Sequence, residues 1–99
     1  MIAVLGSFRF PADKLDAARP LMREVIEATR AEPGCRAYSY AEDVAEPGLF
    51  RVTELWDSRE ALAAHFETPH MREWVERRAA LGFFDREVIL YELGPSEPV

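Results

Sequence analysis

Apolar residues in this chain recur at two different periods, and the order in which those periods follow one another restricts the fold more than any single motif does. Ile2 to Phe10 alternates with period two and is rich in β-branched and aromatic residues, so Ile2, Val4, Gly6 and Phe8 share one face of a strand and Ala3, Leu5 and Ser7 the other. The period then changes. Leu15, Ala18, Met22, Val25, Ile26 and Thr29 form one helical stripe, which predicts a first helix over about Asp13 to Ala31. Pro20 lies inside it, where a missing N–H and a clash with the preceding turn predict a kink or a restart. Glu32-Pro33-Gly34 reads as the stop signal.

Period two returns in Cys35 to Glu42, where small residues alternate with Arg36, Tyr38 and Tyr40, and again in Leu49 to Trp56 after a hairpin-length loop, Asp43 to Gly48. Phe50, Val52, Glu54 and Trp56 share one face of this third strand; Leu49, Arg51, Thr53 and Leu55 share the other. Asp57 with Glu60 three residues on resembles a capping box, with Asp57 as the capping residue, and starts a second helix near Ser58. Its stripe runs through Leu62, His65 and Phe66, and after an interruption at Thr68-Pro69 through Met71, Trp74, Val75 and Arg78, which predicts a helix broken in two. A fourth strand follows over Arg86 to Leu93, and residues 94–99, with Pro95 and Pro98, read as a short tail.

The order β-α-β-β-α-β is the α+β, ferredoxin-like arrangement, a four-stranded antiparallel sheet with both helices on one face. With 99 residues, the chain fits one domain with its core in residues 1–93. At this size folding removes only about 60 to 65% of the extended chain's surface from water, which leaves a thin core. The third and fourth strands carry large apolar groups on both faces: Leu49 and Leu55 against Phe50, Val52 and Trp56, and Val88 and Leu90 against Ile89, Tyr91 and Leu93. Two helices cover only one face, so the other is expected to be covered by a second copy of the same sheet, giving a homodimer.

Composition narrows the partners. Twelve Lys and Arg against eighteen Asp and Glu give a net charge of −6, a balance opposed to phosphate-backbone binding and to anionic membrane surfaces. No apolar run approaches the roughly 20 residues needed to span a bilayer, and the N-terminus has neither a basic region nor a small-residue cleavage site. The lone Cys35 forms no intrachain disulfide, and a cytoplasmic location is expected. The sequence lacks GxGxxG, P-loop, GxSxG and CxxC motifs, which removes phosphate cradling, elbow-type serine hydrolysis and thioredoxin-like redox chemistry.

Among residues able to carry chemistry, His65 stands first, an imidazole on an apolar stripe that titrates near neutral pH; the alternative is a core histidine tied to a carbonyl or carboxylate. His70 falls at the helix break and faces solvent or a pocket mouth. On one continuous helix His65 and His70, five residues apart, lie on different faces, so no metal site is expected from them, although folding could gather His65, Glu54 and another carboxylate. Trp56, Tyr38 and Tyr40 offer flat surfaces and hydrogen-bonding groups that suit a planar ligand or an ordinary core. Glu54, sharing a strand face with Trp56, needs a partner if buried, an arginine or His65.

The string Glu32-Pro33-Gly34-Cys35, then Tyr38, Phe50, Glu54-Leu55-Trp56-Asp57-Ser58, Glu60-Ala61-Leu62, His65 and Thr68-Pro69-His70 resembles the antibiotic biosynthesis monooxygenase family over roughly residues 1 to 93. The resemblance implies a dimeric α/β barrel. Its members include cofactor-independent monooxygenases that convert phenols or quinols to quinones, haem-degrading enzymes and quorum-signal isomerases, so the fold alone does not fix the reaction. The haem-degrading branch uses an Asn on the first strand and an axial His late in the second helix, where this chain has Gly6 and Ser7, and Trp74 and Val75. The polyketide branch is similar at Trp56, while its Asn and Tyr partners are replaced by Val52 and Leu62. What the resemblance implies is a monooxygenase without cofactor or metal, with His65 as the base and Trp56, Tyr38, Tyr40, Glu54, Phe50 and Phe66 holding a small aromatic or quinol-like substrate that reacts with O₂. An isomerase moving protons in the same cavity, or a ligand-binding dimer with no chemistry, are the alternatives.

Overall fold

A computed structural model describes residues 1–99. Strands β1 (Ile2–Arg9), β2 (Cys35–Glu42), β3 (Leu49–Trp56) and β4 (Phe84–Glu92) form one antiparallel sheet in the order β2-β3-β1-β4. Helices α1 (Leu15–Arg30), α2 (Arg59–Phe66) and α3 (Pro69–Ala80) connect them. This is the ferredoxin-like arrangement that the alternating periods require. No helix is long and apolar enough to cross a membrane.

The register explains which side chains share the helix-covered face. Val4 lies opposite Glu54, which lies opposite Tyr38; Gly6 lies opposite Val52, which lies opposite Tyr40. Ala18, Met22 and Val25 of α1 and Met71 and Trp74 of α3 close over Phe8, Phe10, Phe50 and Val52. A second cluster, Ile2, Val4, Tyr38 and Trp56, lies under Ala61 and Leu62 of α2. On the other face Leu5, Ile89 and Tyr91 are exposed in the single chain.

Local chemistry sets the element boundaries, in four places differently from the sequence reading. Residues Ala12–Lys14 form a single 3-10 turn, and α1 proper begins at Leu15. Pro20 neither ends nor restarts α1. Its missing N–H would have met the carbonyl of Asp16, and both residues are exposed, so that carbonyl is not left buried without a partner. The cap of α2 is Ser58, whose hydroxyl accepts from the Ala61 N–H at 3.1 Å, while Asp57 takes Arg36 across the loop. Fourth, β4 starts two residues early, at Phe84, because a bulge between Ser7 and Arg9 and a left-handed Asp85 (φ 53°) bring Phe84 opposite Arg9.

The break in the second helical region is as expected. Thr68 caps α3 by accepting from the Met71 N–H, and Pro69 occupies the first turn, where its missing N–H costs nothing. Gly34 (φ 82°) makes the turn from α1 into β2, and its carbonyl accepts from the Asp57 N–H. That turn holds Glu32 beneath the α2–α3 junction.

Candidate active site

Three elements meet at one carboxylate. Glu32, from the turn after α1, receives Nδ1 of His65, near the end of α2, at 2.8 Å and Nε2 of His70, in the first turn of α3, at 2.7 Å, both on Oε2. A carboxylate only accepts, so each ring nitrogen facing it carries its proton, and the Nε2 lone pair of His65 is left free. The His65 side chain is 1% exposed. Burial holds its pKa below the ordinary histidine value, with Glu32 pulling the other way. Neutral imidazole therefore dominates near pH 7.

A test of that burial follows from the sign of the shift. A folded-state pKa below the unfolded one gives stability that is full above about pH 6.5 and is lost as pH falls towards the depressed native value. Wild type is expected to lose stability over this window, by at most about 1.4 kcal/mol per pH unit from this one group, while His65→Gln lacks that component. Urea midpoints for the two proteins between pH 7.5 and 5.5 read the difference; parallel curves would mean that His65 carries no linkage.

Around His65 the side chains are aromatic. Its ring centroid lies 5.0 Å from Trp56, 5.4 Å from Tyr38 and 5.2 Å from Phe66. Trp56 Nε1 donates to Glu54 at 2.9 Å, so the partner of Glu54 is this indole, two residues along the same strand face, and neither an arginine nor His65. Glu54 is buried, which raises its pKa, with the Trp56 hydrogen bond opposing. The hydroxyls of Tyr38 and Tyr40 share a hydrogen bond of 2.5 Å. Burial pushes the Tyr40 phenol up to about 12 and Tyr38 further in the same direction, so both remain neutral donors at working pH.

A cavity of about 30 Å³ opens beside these groups. Tyr38, Tyr40, Glu54 and Phe66 line it, together with Arg78 and Arg86. His65 and Trp56 are not in the lining; they stand behind Tyr38 and Phe66, which touch both the cavity and the imidazole. Phe50 is elsewhere, stacked on Phe8 in the core. The volume holds about one water, so a ring compound enters only after a side chain moves. Phe66, 45% exposed at the end of α2, is the one with room to do so. A larger hollow of about 360 Å³ between α1 and α3 touches this assembly only through His70 and Trp74.

Glu32, His65 and His70 also answer the metal question differently from the sequence. Five residues on an unbroken helix would separate the two imidazoles, but the break at Thr68-Pro69 turns them onto one carboxylate, with one donor atom from each residue within 4.8 Å of the others. Two histidines and a glutamate are a donor set known for open divalent sites. To take a cation here, both rings must give up the protons now shared with Glu32. Glu32 is the residue whose role sequence reasoning missed, having been read as part of a helix stop and of the family string but not as a partner of either histidine.

Comparison with known proteins places the fold. Residues 1–77 match the model of the antibiotic biosynthesis monooxygenase family. A candidate monooxygenase of Mycobacterium tuberculosis is 36% identical over 95 residues, covering 95% of this chain and 90% of that protein. An uncharacterised protein of a Synechocystis species is 35% identical over 96 residues, 97% of this chain, which spans 65% of its length. The crystal structure of a candidate antibiotic biosynthesis monooxygenase of Deinococcus radiodurans superposes with a TM-score of 0.93 at 29% identity, covering 100% of this chain and 98% of the other. With β1 to β3, α1, α2, the Glu32 turn and the His65 to His70 junction inside the matched region, the chain belongs to the antibiotic biosynthesis monooxygenase family.

Proposed function

We propose that this protein is a cofactor-independent monooxygenase that oxidises a phenolic or quinol-type ring with O₂, acting as a homodimer paired through the outer sheet face. The observation that carries the reading is a buried, neutral imidazole fixed at Nδ1 by Glu32 and packed against the aromatic walls of a cavity. A base held by a carboxylate on its far nitrogen is poised to accept a proton at the near one, and the carboxylate then stabilises the imidazolium.

With Phe66 swung aside, a ring hydroxyl gives its proton to His65 Nε2. The phenolate is electron-rich and passes an electron to O₂; the two radicals combine at a hydrogen-bearing ring carbon, para to the hydroxyl in a simple phenol and ortho to it in a quinol. Loss of the C–H proton then breaks the O–O bond, leaving a quinone and one water. Both electrons that reduce the second oxygen atom come from the ring, so no external reductant is required. The Tyr38 and Tyr40 hydroxyls, neutral and preorganised, supply donors for the developing oxyanion. The exposed Leu5, Ile89 and Tyr91 on the outer face support the dimer, because a second copy would remove this apolar area from water.

Oxygen uptake by chelator-treated protein against a panel of phenols and quinols tests the reading. Expected is uptake that persists without metal or flavin, with one quinone formed per O₂. Uptake that requires added iron or copper would move the chemistry to a metal held by Glu32, His65 and His70; absence of uptake across the panel, with conversion of a substrate by proton transfer alone, would make the protein an isomerase.

A further inference from the structure

Arg78 and Arg86 are set apart from the other cavity-lining residues by what they lack. Arg9, Arg19, Arg36, Arg51, Arg59, Arg72 and Arg77 each hold a carboxylate in an ion pair. Arg23, Arg30, Arg78 and Arg86 do not, Arg30 donating instead to the Tyr38 carbonyl, and of these four only Arg78 and Arg86 line the cavity. The only acid in that lining, Glu54, is engaged by the Trp56 indole. Arg78 is held by aromatic faces instead, with its guanidinium carbon 4.5 Å from the Phe83 ring centroid and 6.0 Å from that of Trp74. Burial and the neighbouring Arg86 both act to lower the Arg78 pKa, with Tyr40 and Tyr38 opposing.

Glu54 is the one carboxylate in the lining and feels the charge of Arg86, so two guanidinium groups share a single acid there and leave room for a second anion. Arg86 reaches the cavity from β4, in step with Val88 and Leu90 on the helix-covered face. It therefore points away from the outer face that a second copy would cover. The same lining carries the aromatic side chains of Tyr38, Tyr40 and Phe66, so cationic groups and ring surfaces border one small space.

We propose that Arg78 and Arg86 form an anion-binding site in the cavity, so that the ligand is an acidic ring compound, a phenol or quinol bearing a carboxylate, and not a neutral one. The assignment of a phenolic ring rests on the monooxygenase reading; the anion site rests on the arginines alone. A planar guanidinium matches a carboxylate fork, and the charge-assisted hydrogen bonds so formed are the strong ones.

Anaerobic calorimetry separates the two ideas, with 2,5-dihydroxybenzoate and hydroquinone as probes that differ only by the carboxylate. Wild type is expected to bind the acid at least about 10-fold more tightly than hydroquinone. Arg86→Gln, exposed enough to leave folding intact, should lose about 10-fold for the acid and stay within about twofold for hydroquinone; Arg78→Gln, checked by circular dichroism, should do the same. Equal affinity of wild type for both probes, no binding of either, or equal losses for both in the variants would overturn the anion site. Tight binding of the acid with no later oxygen uptake in air would overturn the oxygenase reading and leave the anion site standing.

Discussion

His65→Ala is expected to lower turnover by about 10²- to 10⁴-fold at pH 7 while leaving substrate affinity within a few-fold. The imidazole has the attributes of a working base: neutral through burial, proton-bearing on Nδ1 toward Glu32, and packed against Tyr38 and Phe66 of the cavity wall. Removal also leaves a small void and frees one acceptor site on Glu32, which His70 still occupies. Some stability is lost, on the order of 1–3 kcal/mol, so the comparison belongs with folded protein verified by circular dichroism. Glu32→Gln, a positioning variant, should give a smaller loss and an altered pH profile, because the amide holds the ring and no longer supports its positive charge. Unchanged turnover in His65→Ala on a true substrate would sink the base assignment, whatever the Glu32 variant does.

The largest stability effect is expected at Gly6. An alanine Cβ there would lie 2.0 Å from the carbonyl oxygen of Glu87 and 2.6 Å from Cα of Val88, both backbone atoms of β4. Neither is the end of a flexible side chain, so β4 has to leave its register with β1. Overpacking against backbone costs more than the 1–3 kcal/mol of ordinary core insertions, and Gly6→Ala is expected to lose about 4 kcal/mol or more, read as a lowered urea midpoint. Gly94→Ala, with nothing within 4 Å, is the control and should shift stability by less than about 0.5 kcal/mol. Since β4 carries Arg86 and Val88 to the cavity wall, partial folding of Gly6→Ala should also abolish ligand binding. A midpoint equal to that of the control would show that β1 and β4 approach less closely than these distances state.

How much of this was legible in the sequence depended on whether the determining contact was local. The limits of β2 and β3 were read to the residue because Gly34 and Gly48, both at positive φ, punctuate strands whose alternation is regular. The helix break was equally plain, since threonine followed by proline is a cap and a first-turn residue written side by side. Where two neighbours could perform the same task, the reading went astray: Asp57 and Ser58 both cap well, and only the pull of Arg36 on Asp57 decides between them. The start of β4 was hidden because a bulge and a left-handed aspartate leave no periodic trace. Strand and stripe positions placed Tyr38, Trp56, His65 and Phe66 near one another, while Phe50, on the same strand face as Trp56, packs on Phe8 away from the cavity. Glu32 was not placed with them, because its two contacts span 33 and 38 residues and depend on a turn folding back under a junction. Glu54 to Trp56 was available, being an i,i+2 pair on one strand face, yet attention to charge favoured an ionic partner over an indole.

The break between α2 and α3 has a consequence for how this chain tolerates changes in length. On an uninterrupted helix His65 and His70 would point about 140° apart, and only the non-helical step at Glu67-Thr68 sets their phase so that both reach one oxygen atom. Inserting or deleting a single residue there would change the direction and phase of α3 relative to α2, leaving composition and helix content nearly unchanged. Such a change would carry His70, Trp74 and Arg78 out of position together. The junction therefore works as a phase-setting spacer whose length, more than its chemistry, is fixed by the two histidines it aligns.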